Sequence, residues 1–288
     1  MLVSNVKYAV PGFAEASGTV IYSGAANEAA PAGATKQLNN LVGELERLLA
    51  LLAARLKPEV DVKPSPSPLD NLNERRVDKR DVNRDEFLKG TPANTGAKPN
   101  DIFQNFYQLT EGNCVTVSAI KAAMMKFGHN PHGIYTSIHA IDAGYRVVMR
   151  DGFKLDITHD ELKQAPAGAS FGADRPNDVL VNAQFLYAVS AKRAYLENND
   201  GEANESFAAA MRTLNDGEYP GQALRRLGLK DFVAPATLQD FMDGAIGTIA
   251  DAFHSMAVVD GFLDSYGYKQ QLNKRDWNRH SVIGLKLL

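Results

Sequence analysis

Apolar side chains recur at helical spacing in some stretches of the chain and alternate at strand spacing in others, and together they outline its elements. Residues 117, 120, 124 and 127 form an apolar line with small residues between, which predicts a helix docked into a core and stopped at Gly128. Leu38, Leu41, Val42, Leu45, Leu48, Leu49, Leu52 and Leu56 predict an amphipathic helix over 37–56, ended by Pro58. Asp178 to Leu196 carries two apolar lines and predicts a long helix, and shorter helices are expected at 206–214, 221–227 and 238–249. The runs 145–149 and 153–157 alternate around Asp151-Gly152, a hairpin pattern. Thr158-His-Asp-Glu161 follows as a capping box that opens a short helix. Met256 to Val259 is a continuous apolar run ending at Asp260-Gly261, which predicts a buried strand, and 281–288 predicts a closing one.

Between these patterned stretches the composition shifts. Residues 1–36 are rich in Ala, Gly, Ser and Pro, with weak strand signals at 3–10 and 19–22. Residues 57–100 combine a KPSPSP run with a charged, apolar-poor stretch, the composition of a linker of low order. The expected organisation is an extension over 1–56, a linker over 57–100 and a packed α+β domain over 101–288. The extension is expected to be partly disordered outside the helix at 37–56, which packs on its own domain or meets a partner protein.

A formal charge of −3 over 288 residues leaves no footprint of a nucleic-acid binder. No stretch reaches the ~18 apolar residues of a membrane span, and the N-terminus lacks the pattern of an ordinary secretory signal. The expected location is the cytoplasm, or export by a route that needs no such signal. One cysteine excludes an intrachain disulfide framework. Zinc-ligand spacing, a glycine-rich phosphate loop and Gly-x-Ser-x-Gly are all missing from the sequence.

The chemistry concentrates at that cysteine. An isolated cysteine is ordinarily a small buried hydrophobe. Cys114, however, follows the turn-like Glu111-Gly112-Asn113 and opens the helix ending at Gly128, where unpaired N–H groups and the helix dipole favour a thiolate. Gln108 lies six residues upstream, within reach to donate to an oxyanion. Of the six histidines, His254 opens the buried strand and is followed by Ser-Met-Ala-Val. Trp277, the only tryptophan, is flanked by Asp276 and Asn278.

The order Gln108, Cys114, helix, hairpin, helix, His254, strand, Asp276-Trp277 resembles the papain-like cysteine proteases, and among them the calpain-type branch. Gly112-Asn113-Cys114 stands where that family has Gly-Asp-Cys or Gly-Ser-Cys, and Val115 where it has Trp. The likeness covers residues 101–288. It implies a central nucleophile helix packed on an antiparallel sheet or barrel, and a cysteine endopeptidase acting through a thioester on a protein or peptide, with no cofactor or metal. Cys114 would be the nucleophile, His254 the base and Gln108 an oxyanion donor. Asp276 would orient the base, with Asn278 second and Asp260 third as alternatives. The same constellation also serves deamidation or transglutamination, and a papain-like shell that only binds a partner is a reading from a different class.

Overall fold

The computed structural model describes residues 86–277 and 282–288. The expected helix at 37–56, the linker stretch 57–85, Asn278 and His280 lie outside the described residues. The architecture is mixed α/β with antiparallel sheets. In chain order it runs α1 (Ile102–Asn105), β1 (Tyr107–Gln108), α2 (Cys114–Phe127), α3 (Pro131–Ile134), β2 (Ser137–Ile141), β3 (Gly144–Val148), β4 (Lys154–Thr158), α4 (His159–Ala169), β5 (Phe171–Gly172), α5 (Asp178–Glu197), α6 (Phe207–Arg212) and α7 (Gln222–Arg226). It continues with β6 (Val233–Pro235), α8 (Leu238–Met242), β7 (Gly247–Ala250), β8 (Ser255–Val259), β9 (Phe262–Ser265), β10 (Tyr268–Gln271), α9 (Lys274–Trp277) and β11 (Ile283–Leu287).

The largest sheet has the order β10-β9-β8-β7-β11-β6, with every neighbouring pair antiparallel. Alternation along its strands sends side chains to two different cores. Ile249, Met256, Val258 and Leu263 join Phe241 and Trp277 on one face, whereas Val259 joins the main core that contains α2. The buried helix α2 therefore lies across the face of β8 that bears Ser255, Ala257 and Val259. A separate meander, β2-β3-β4, holds the hairpin expected around Asp151-Gly152. Gly152 takes φ +82° there, a value glycine adopts without strain.

Most of the patterned helices form where the spacing places them. The Thr158 capping box is closed in both directions: Thr158 Oγ1 accepts from Glu161 N at 3.1 Å, and Glu161 Oε2 accepts from Thr158 N at 2.9 Å. The stretch 238–249 divides instead. Helix α8 ends at Met242, and β7 begins at Gly247. Gly244 sits at φ +94°, and a Cβ on Gly247 would lie 1.9 Å from the Leu285 carbonyl oxygen of β11, so only glycine lets the two strands meet.

Residues 86–100, the described part of the expected linker, lie on the domain. Leu88 is buried, and Lys89 N donates to Asn182 Oδ1 at 2.8 Å. Asn130 Nδ2 donates to the carbonyls of Thr91 and Asn94, each at 2.8 Å. Side-chain amides from α5 and the start of α3 thus supply partners for a backbone that has no sheet of its own. The packed unit takes in residues before the boundary expected at 101. Among the described residues no helix is long and apolar enough to cross a membrane.

Candidate active site

Cys114 is the first residue of α2 and is partly buried. Asn113, at the N-cap, makes no side-chain cap bond. Its amide donates instead to Ala169 O at 2.8 Å and Asn215 Oδ1 at 3.3 Å. The first-turn N–H groups are consequently left for other acceptors. The loop before the cysteine is pinned from outside: Gly112 N donates to Asn215 O at 3.1 Å, and a Cβ on Gly112 would fall 2.6 Å from that oxygen.

Burial pushes the Cys114 thiol up, and this outweighs the backbone N–H groups of Ser255, Val115 and Cys114 itself, which reach the sulfur and favour thiolate. The nearby charge of Glu218 adds to the rise. The helix-start argument anticipates a stabilised thiolate, and here desolvation wins over the dipole and the N–H groups. The bond from Ser255 N–H places the sulfur at the beginning of β8, one residue beyond His254. Ser118, one turn along α2, meets the same strand through a 2.8 Å contact between its hydroxyl and that of Ser255.

His254 closes the turn that joins β7 to β8. Its backbone N–H and that of Phe253 donate to Asp251 Oδ1 at 2.9 and 2.8 Å, and its carbonyl accepts from Asp251 N at 3.0 Å. The imidazole stacks on the Tyr266 ring, centroids 4.4 Å apart and planes inclined by 10°. Burial lowers the His254 pKa, while the charges of Asp251 and Asp264 work against that fall. Both Cys114 and His254 are therefore neutral in the resting site near pH 7. The other described histidines are engaged elsewhere or away from Cys114. His159 stacks on Phe87, His129 Nδ1 lies 3.4 Å from Asn182 Nδ2, and His132 and His139 belong to α3 and β2.

Gln108 sits on β1 beside the nucleophile loop, and one N–H of its amide is held by Glu111 O at 2.6 Å. Its second N–H is the one available to an oxyanion.

Asp276, expected to orient His254, is placed in the α9 turn. Its carboxylate accepts from Asn273 N at 3.1 Å within the α9 turn. The adjoining Trp277 packs on Phe241, on the face of the sheet opposite α2. Asp260 occupies the exposed β8–β9 turn at φ +51°, the far end of β8 from His254. The carboxylate that the sheet brings toward His254 from a neighbouring strand is Asp264 of β9. The hairpin centred on Asp260-Gly261 carried the signal for it, since folding β9 back along β8 returns residues 264–267 to the level of His254.

A second buried carboxylate lies under the nucleophile turn. Thr116 Oγ1 donates to Glu218 Oε2 at 3.4 Å, and the Arg226 guanidinium, itself fully buried, pairs with the same oxygen. Burial pushes Glu218 up to about 7 despite that pairing. No family model, no curated protein and no solved structure matches this chain.

Proposed function

We propose that the chain is a cysteine peptidase with a papain-like arrangement of nucleophile helix and histidine-bearing sheet. One observation supports the reading: Cys114 opens α2, and one turn along that helix the Ser118 hydroxyl meets the hydroxyl of Ser255, the residue after His254, at 2.8 Å. In this reading Cys114 is the nucleophile, His254 the base, and the N–H groups at the start of α2 the oxyanion donors, brought from two elements far apart in sequence.

With both groups neutral, His254 takes the thiol proton as the sulfur adds to a peptide carbonyl. The oxyanion accepts from the Cys114 N–H and from the second N–H of Gln108. Collapse breaks the C–N bond, and the amine leaves with the proton from the imidazolium. Water, deprotonated by His254, then hydrolyses the thioester and restores the thiol. The charge of Asp264 favours the transient imidazolium.

The test is incubation with an unfolded protein substrate and analysis of the products by mass spectrometry. New N-termini that vanish in Cys114→Ala and His254→Ala support peptidase action. Ammonia release without new termini would assign deamidation, and amine incorporation would assign transglutamination. Absence of all three, with a thiol indifferent to His254→Ala, would leave a partner-binding shell.

A further inference from the structure

Helix α2 presents a polar stripe to the sheet in an otherwise apolar core. Cys114, Ser118 and Lys121 follow i, i+4, i+7 spacing and so share one face. Cys114 meets Ser255 N–H, Ser118 meets the Ser255 hydroxyl, and Lys121 meets Asp264. The Lys121 ammonium is wholly buried and lies 2.7 Å from Asp264 Oδ2, whose side chain is 5% exposed. It also donates to Phe103 O at 3.2 Å and sits 5.2 Å from the Phe106 ring centroid.

The other oxygen of Asp264 accepts from Gly267 N at 3.1 Å. That bond closes a turn in which Tyr266 takes φ +51°, and the Tyr266 ring is the surface on which His254 stacks. From these contacts we propose that Lys121 is a positioning residue for His254, acting through Asp264 and the 264–267 turn. The inference rests on the cysteine–histidine reading of the site and adds to it a residue of the nucleophile helix itself.

The reasoning is electrostatic and geometric together. A buried carboxylate without its cation takes up a proton. Asp264 would then lose the charge that acts on His254 and would hold the Gly267 N–H more weakly. The groups that act on the His254 ring are Asp251 from its own turn, and Asp264 and Tyr266 from the neighbouring strand and its turn. Of the two carboxylates only Asp264 is answerable to Lys121. A lysine that merely tied helix to sheet would, when removed, change stability and leave the imidazole unmoved.

The experiment follows the His254 imidazole by NMR titration in the full chain, with the resonance assigned by its loss in His254→Ala. In Lys121→Met the His254 titration should move down by about half a pH unit or more, and its ring-current shift from Tyr266 should change. Should the single variant fail to fold, Lys121→Met/Asp264→Asn leaves no unpaired buried charge and should show the same lowered titration. With substrate, either variant should lower kcat about tenfold or more with KM little changed, since the imidazole is used in the chemical step. Titrations that superimpose on wild type would overturn the inference even where stability falls. A wild type without turnover, whose His254 still responds to Lys121→Met, would remove the peptidase reading and leave the positioning role standing.

Discussion

Glu218 is the charged side chain that acts on the Cys114 thiol. It is a carboxylate buried beneath Thr116, partnered by Arg226, and its charge raises the Cys114 thiol. In Glu218→Gln the pH profile of Cys114 alkylation should move to lower pH, with a rate increase of up to a few-fold on its rising limb. Because the chain has a single cysteine, label stoichiometry reads this site directly. Wild-type alkylation should be slow at pH 6 and climb through the alkaline range, as burial of the thiol requires. The same carboxylate makes stability depend on pH. Its folded pKa of about 7 lies above the unfolded value near 4.5, so the native state holds the extra proton between these limits. Stability is then greater below the window and falls as pH rises through it, by a few kcal/mol in order of magnitude. Urea midpoints measured from pH 4.5 to 8 should show this decline in wild type and a shallower one in Glu218→Gln.

At the scale of elements, two glycines set how α2 is framed. Gly112 lies too close to Asn215 O to carry a side chain, and Gly128, at φ +94°, ends the helix with its would-be Cβ 2.1 Å from Thr95 O. Gly112→Ala should dislodge the loop before Cys114, costing about 1–3 kcal/mol and reducing the His254-dependent reactivity of the thiol. Gly128→Ala should cost a similar amount through strain at the far end and leave that reactivity nearly intact. Denaturation and alkylation measured side by side separate the two. The elements themselves were largely legible before any coordinates. The α2 and α5 periodicities, the Asp151-Gly152 hairpin and the Thr158 capping box are local patterns. What escaped were features made by contact. Residues 238–249 read as one helix because Gly247 reveals its purpose only against β11. Ser118 and Lys121 face the sheet, which the apolar spacing of the helix alone does not reveal. Cys114 and His254 could be found because each opens its element. Asp264 was missed although the Asp260-Gly261 hairpin pointed to it, because its part depends on how far β9 folds back along β8, and Asp276 drew attention only by its neighbour Trp277.

Over the whole molecule, the segment before α1 belongs to the packed unit. A chain beginning at residue 101 would lose the buried Leu88 and the bonds from Asn130 and Asn182 to the preceding backbone. It should unfold at lower urea than one beginning at residue 86, by about 2 kcal/mol or more. Limited proteolysis of the full chain should spare bonds within 86–100, and early cutting there would contradict the packing described.

The strand order β10-β9-β8-β7-β11-β6 gives residues 283–287 a place inside the sheet, between β7 and β6. Seen from the ribosome, the sheet has a gap in its middle until those residues emerge. Helix α2 and the strands β7 to β10 are made before, but β6 has no strand joining it to β7 until β11 arrives. A chain stopped at residue 282 lacks the strand that joins β7 to β6, so its sheet should unfold at lower urea than that of the full chain.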